Sequence, residues 1–408
     1  MVTMRILQII PSISLVYGGP SQMVLGLSAA LSAQGIEVTI ITTDSNGDIG
    51  QLPLDVPLNQ PIKQNGYQII YFRCYPFRRY KFSLSLLQWL NQNARQFDLA
   101  HIHALFSPVT TLAATIARGY KLPYIIRPCG MLDPADLQKK KQLKQIYAAL
   151  LERPNLAGAA AIHFTSKEEA KISERFGLGC TGKMPVPRDF DTGKMPVPRD
   201  LIIPLGVTAS LFPKRLRESQ VPIILFMSRI EPKKGLDLLI PALESILESG
   251  IEFHFILAGS NPQDADYEIG IKVKIQNSIL GEYTTITGFV SGDRKNELLT
   301  NADLFVLPSY YENFGIAVAE AMAAGVPVAI SDRIHIAEDI RQAEAGWVGP
   351  LEVRSIANSI KSALLDPDER QRRGLNGKEY AKKYYNWEAI AQQTIDGYQQ
   401  ILLSSART

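Results

Sequence analysis

Apolar runs and turn residues alternate along this chain in a strand-helix rhythm. Met4 to Ile10 is continuously apolar, Gly18-Gly19-Pro20 breaks the run, and Ser21 to Gln34 carries Met23, Val24, Leu27 and Leu31 at helical spacing until Gly35. Strand character resumes over Glu37 to Thr42. These segments predict a β-α-β unit. Its parallel strands need the crossover helix, and its ligands bind beyond the carboxyl ends of the strands, where the Gly18-Gly19 turn falls.

The rhythm restarts at Pro222 to Met227, followed by a loop over Ser228 to Gly235, a helix from Leu236 to about Glu248 and a strand over Phe253 to Leu257. It continues with strand Thr284 to Thr287, helix Asp293 to Asn301, strand Asp303 to Leu307, helix Phe314 to Ala324 closed by Gly325, and strand Val326 to Ile330. Two α/β domains with doubly wound, Rossmann-like parallel sheets follow, over residues 1–205 and 206–386. Between the two series TGKMPVPRD occurs twice, at Thr181 to Asp189 and Thr192 to Asp200. Rich in Pro, Gly and charge and without an apolar period, this insert (181–200) reads as a solvated loop.

With 408 residues, 46% apolar and 20% charged, the chain has the make-up of a soluble globular protein, which excludes disordered, collagenous and membrane-spanning classes. Its net charge of +3 conceals an asymmetry: residues 1–205 hold 22 Lys+Arg against 14 Asp+Glu, and the remainder 21 against 26. The halves are therefore expected to meet different partners. Cys74, Cys129 and Cys180 form no disulfide or metal-binding pattern, which suits a reducing, cytoplasmic compartment. The apolar N-terminus lacks a small-residue cleavage site and reads as a buried first strand rather than a signal peptide.

The segment LPSYYENFGIAVAEAMAAGVPVAI places Glu312 in a loop just after a strand and, with seven residues between, Glu320 in the following helix. Two carboxylate oxygens suit the vicinal hydroxyls of a ribose or hexose, and main-chain N–H groups over Asn313 to Ile316 suit a diphosphate. The plainer alternative makes Glu312 a helix cap and Glu320 an ordinary polar position. Yet Glu320 sits among Ala317, Val318, Ala319, Ala321 and Met322, so its carboxylate needs a partner.

This segment resembles the paired-glutamate signature of the retaining family 4 (group 1) glycosyltransferases, which have the GT-B fold of two Rossmann-like domains facing across a cleft. The resemblance implies that Glu312 lies near the transferred sugar and Glu320 binds the nucleotide ribose, while Asn313, Phe314, Gly315 and Ile316 offer main-chain donors. FMSRIEPKKGLDLLI is similar to the family's diphosphate loop, which gives Arg229 and Lys234 the departing charge to stabilise without a metal. Gly288 and Phe289 fall where the family's backbone meets the base, and Gly18 and Gly19 match its glycine pair. DLAHIHALFSP resembles a further landmark, in which His103 faces the cleft; a satisfied core histidine is the equal alternative. The closing helix 387–403 is expected to pack back on the first domain.

IIRPCGMLDP departs from the family pattern, placing Cys129 where a histidine is common. A neutral thiol cannot copy an imidazole's acid-base behaviour, and no activating base is near in sequence. Asp264-Ala-Asp266 spells a metal-binding triplet but reads as a chance match, and Asp133 and Asp136 are treated likewise. Arg73, Arg78, Arg79 and Lys81 interleave with Phe72, Tyr75, Phe77, Tyr80 and Phe82, and Lys139 to Lys141 with Lys144 add a second basic cluster. Either suits anionic lipid headgroups at the inner face of the plasma membrane or an anionic acceptor, or is a solvated loop; nothing else supports a nucleic-acid partner.

The reading is a metal-independent retaining hexosyltransferase with no cofactor beyond its UDP- or GDP-linked co-substrate. It moves the sugar to a saccharide or lipid-linked acceptor in polysaccharide assembly. Cys129 keeps open a noncatalytic nucleotide-sugar-binding partner, and the fold keeps open an epimerase or phosphorylase.

Overall fold

The computed structural model describes residues 3–47, 51–75, 80–132, 147–173, 199–208 and 221–405. Most of the duplicated insert, Cys180, Arg78, Arg79, Phe77, Asp133, Asp136 and the lysines at 139–144 lie outside these residues. The chain divides into an N-terminal unit, Met1–Gly206 with Trp387–Thr408, and a C-terminal unit, Val207–Asn386.

The N-terminal sheet comprises β1 (Arg5–Ile9), β2 (Glu37–Thr43), β3 (Pro61–Gln64), β4 (Tyr67–Phe72), β5 (Leu99–His103), β6 (Tyr124–Arg127), β7 (Ala161–Phe164) and β8 (Arg199–Ile202). Their order is β3-β4-β2-β1-β5-β6-β7-β8. All neighbours run parallel except β3 against β4. Arg199 and Asp200, the end of the second repeat, thus belong to a strand.

Alternation gives this sheet two unlike faces. Leu7, Ile9, Ala100, Ile102, Ile126, Ile162 and Phe164 enter one core with Leu86 and Leu90 of helix Leu84–Asn93 and Val109, Ala113 and Ala117 of helix Pro108–Gly119. The opposite parity carries Gln8, His101, His103, Arg127 and His163, with Gln8 opposite His101 and His103 opposite Arg127. The helix Trp387–Ser405 covers this polar row through Tyr398. Its return is fixed at Trp387, whose indole lies against Gly26 and Gly206 so closely that a Cβ on either would overlap it.

The C-terminal sheet comprises β9 (Ile223–Met227), β10 (His254–Ala258), β11 (Thr284–Gly288), β12 (Leu304–Leu307), β13 (Val328–Ser331) and β14 (Gly346–Gly349). All pairings are parallel, in the order β11-β10-β9-β12-β13-β14. The strand order reverses between β9 and β12, the point at which doubly wound sheets bind ligands. The loops leaving these two strands are those that carry Arg229, Lys234 and Glu312.

Candidate active site

The two loops at the reversal point are locked together. Gly235, in the left-handed region at φ +74°, follows Lys234 and packs against Pro308 O with no room for a Cβ. Tyr310 N donates to Lys233 O at 2.8 Å, and Tyr310 OH donates to Asp237 at 2.7 Å. Lys234 Nζ then donates to Glu312 Oε1, with both side chains largely buried.

Burial alone would raise the Glu312 pKa, but the cations of Lys234, Lys233 and Arg229 outweigh it and hold the carboxyl below its usual value. Arg229 reaches Glu231 at 3.2 Å and keeps 44% of its side chain exposed. The two loops therefore gather two carboxylates, Glu312 and Glu231, and three cations around a strand end. Behind Glu312, His335 N donates to its main-chain O at 3.1 Å and fixes the turn.

The helix after this turn begins at Ile316 rather than Phe314, because Gly315 caps it with φ +80°. The Phe314 ring is buried against Tyr385, so only its main chain is available to a ligand. In the first helical turn Val318 N already donates to Gly315 O at 2.8 Å, while the amides of Ile316 and Ala317 have no intrahelical acceptor. Glu320, one level further along the helix, has the partner its apolar neighbours demanded: Lys295 Nζ at 2.6 Å. Lys295 comes from helix Gly292–Asn301, and no spacing rule announces a contact 25 residues away in sequence. Phe289, just past β11, is 68% exposed. Asp264 caps helix Ala265–Gln276, accepting from Tyr267 N at 3.3 Å, and both triplet carboxylates are exposed.

At the carboxyl edge of the N-terminal sheet, Gly18 adopts φ +71° and caps helix Gly19–Ala33, whose second residue, Pro20, has no N–H to give. His103 does not face open space. It is fully buried, with Nε2 2.6 Å from Gln8 Oε1, because its parity on β5 turns it under the closing helix. Burial, His163 and the Arg127 cation keep His101 and His103 neutral, far below the usual imidazole pKa, and the His163 value falls to about 3. Cys129 is partly exposed at φ +55°. Burial raises its thiol pKa against the pull of Arg127, so it is not poised as a thiolate. The DLAHIHALFSP stretch brings His101 and His103 together in sequence, but only strand register sets Arg127 and His163 beside them.

Among the described residues no helix is long and apolar enough to cross a membrane. Residues 208–380 match the family model of the glycosyl transferases group 1, and residues 18–180 match that of a glycosyl transferase 4-like domain. The chain is 35% identical over 182 residues to an uncharacterised glycosyltransferase of Methanocaldococcus jannaschii, covering 43% of this chain and 44% of that one. It is 27% identical over 187 residues to the phosphatidyl-myo-inositol mannosyltransferase of Mycobacterium leprae, covering 45% and 48%. The chain thus spans about half the length of the curated relatives it matches. Sucrose-phosphate synthase from Thermosynechococcus elongatus superposes with a TM-score of 0.75 at 22% identity, over 98% of this chain and 100% of that one. HepE from Anabaena, in complex with UDP and glucose, gives 0.71 at 18%, over 97% and 100%. The fold is GT-B, and the chain belongs to the group 1, family 4-type glycosyltransferases.

Proposed function

We propose that the chain is a retaining, metal-independent hexosyltransferase that uses a UDP- or GDP-linked sugar and a saccharide or lipid-linked acceptor. The observation that carries this reading is the Lys234–Glu312 pair at the strand-order reversal, beside Arg229 and a helix N-terminus. A nucleotide diphosphate is doubly anionic, and Lys234, Arg229 and the amides from Asn313 to Ile316 supply charge and donors where the leaving group would gather it. The Glu312 carboxylate, held ionised, takes a sugar hydroxyl. Glu320, oriented by Lys295, takes the ribose hydroxyls, and Phe289 beyond Gly288 offers an apolar surface to the base. Of the basic, aromatic stretch, Phe72 is buried and Phe82 packs against the core, so the exposed Tyr75 and Tyr80 with Arg73 and Lys81 are the surface we assign to a membrane face.

Relatives support the substrate class: HepE is described with UDP-glucose, and a Mycobacterium tuberculosis mannosyltransferase, 27% identical over 191 residues, as GDP-mannose-dependent. The test is a calorimetric panel of UDP, GDP, ADP and their sugars, with and without a chelator, followed by NMR of the product's anomeric configuration. One nucleotide binding selectively and regardless of chelator, with retained configuration, is the expected result; inversion or chelator-sensitive turnover would overturn the mechanism. Glu320→Ala and Lys295→Ala should each weaken donor binding about tenfold, roughly the loss of one charge-assisted hydrogen bond.

A further inference from the structure

The polar row of the N-terminal sheet is a hydrogen-bond chain whose direction is fixed from one end. Ile203 O can only accept, so His163 Nε2, at 2.9 Å, carries a proton and the neutral ring presents Nδ1 as an acceptor. His101 Nε2 donates to it at 3.2 Å, which leaves His101 Nδ1 to accept from Tyr398 OH at 2.8 Å. The Tyr398 oxygen accepts from Gln8 Nε2 at 3.2 Å, so Gln8 Oε1 accepts from His103 Nε2. The chain ends at His103 Nδ1, a buried acceptor without a partner.

Opposite His103 in the ladder stands Arg127, 3% exposed, with Nε and Nη1 also buried and unpartnered. Among the described residues nothing forms an ion pair with it. Among the described residues the three buried carboxylates of this edge are already occupied: Glu169 accepts from Gly130 N, Thr165 N and Thr165 Oγ1, Glu152 from Phe106 N and Thr111 Oγ1, and Asp44 accepts from Cys74 N and pairs with Arg73. A guanidinium buried without an anion costs several kcal/mol. It lies at the carboxyl end of β6, beside the partly exposed Ala104 and Cys129, where such sheets take their ligands.

We propose that Arg127 is the anion-recognition residue of this unit, binding a phosphate or carboxylate group of a hydroxylated acceptor. The identity of the ligand as acceptor rests on the glycosyltransferase reading; the anion site does not.

Inorganic phosphate, glucuronate and neutral glucose are titrated calorimetrically into the full chain and into Arg127→Gln and Arg127→Lys, with UDP and GDP as controls in the same preparations. The wild type is expected to bind phosphate or glucuronate saturably and glucose not at all. Arg127→Gln should bind the anion at least tenfold more weakly and Arg127→Lys should bind it at an intermediate level, with nucleotide affinity unchanged. Phosphate alone marks a phosphorylated acceptor, and glucuronate alone a uronic one. Arg127→Met, which removes an unpaired buried charge, should melt at a higher temperature than the wild type without ligand and lose the phosphate-dependent rise. Equal anion affinity in wild type and Arg127→Gln, or no anion binding by the wild type at millimolar concentration, would sink the proposal. Loss of nucleotide binding alone would count against the transferase reading instead.

Discussion

The carboxyl edges of the two sheets hold their polar groups in opposite ways. In the C-terminal unit the polar groups form charged pairs, Lys234–Glu312 on loops and Lys295–Glu320 on the helices behind them, and the left-handed turns beside them, at Gly235 and Gly315, are glycine. In the N-terminal unit they sit on strands, as neutral buried imidazoles and a guanidinium without an ion pair among the described residues, and the left-handed positions nearby include the non-glycine residues Ala104, Phe106 and Cys129 besides Gly18 and Gly130. A paired charge at a strand end can exchange its partner for a ligand at modest cost. An unpaired group inside the sheet waits for one.

The sharpest way to break this contrast is at Glu312. Glu312→Gln removes the anion opposite Lys234, whose side chain is only 7% exposed, and leaves a buried cation in the C-terminal unit as well. Transfer, measured as kcat/KM with a labelled donor, should fall by about 10²- to 10³-fold, equivalent to roughly 3 to 4 kcal/mol. A loss under about tenfold would mean that the pair is structural and that exchange with ligand is not how this edge works.

The neutral row makes the opposite prediction, for stability rather than activity. Burial, with the nearby Arg127, lowers the His163 pKa to about 3 when folded, whereas the unfolded chain titrates near 6.5. Above that value both states are neutral and nothing is lost. As pH falls below about 6.5 only the unfolded chain takes the proton, so stability falls by about 1.4 kcal/mol per pH unit for this residue, down to about pH 3. Between pH 6.5 and 5 that amounts to roughly 2 kcal/mol. Urea unfolding of the full chain, followed through Trp89 and Trp387 of this unit, should show the dependence, and His163→Asn should remove about one proton from its slope. An unchanged slope would place the proton uptake elsewhere.

The ease of reading the two edges from sequence differs for the same physical reason. Glu312, Glu320, Arg229 and Lys234 fall in two contiguous strand-loop-helix segments, so local spacing suffices to group them. The helix cap at Asp264, whose triplet reads as a chance match to a metal-binding motif, is equally local, and so is the start of the helix at Ile316 once Gly315 is recognised as left-handed. Lys295, Arg127 and His163 acquire their roles only when strands and helices distant in sequence are set side by side. The sequence leaves His103 open between the cleft and the core, because a histidine at a strand end reads the same whether its parity points to solvent or under a helix that arrives nearly 300 residues later; the structure places it in the core.

The smallest effect tests the remaining difference, the backbone at Cys129. A non-glycine residue at φ +55° stores about 1 kcal/mol, which glycine would release while adding some entropy to the unfolded chain. Cys129→Gly should therefore be more stable than Cys129→Ala by up to about 1 kcal/mol, read from paired urea curves. With its pKa raised, the wild-type thiol should also react with iodoacetamide more slowly than a free cysteine at neutral pH. If both variants keep transfer within about threefold, the turn's work is to hold the strand end under Arg127, and glycine serves it as Gly235 and Gly315 serve the other unit. If transfer is abolished in both, the thiol itself touches the reacting molecules, and the two edges differ in chemistry as well as in construction.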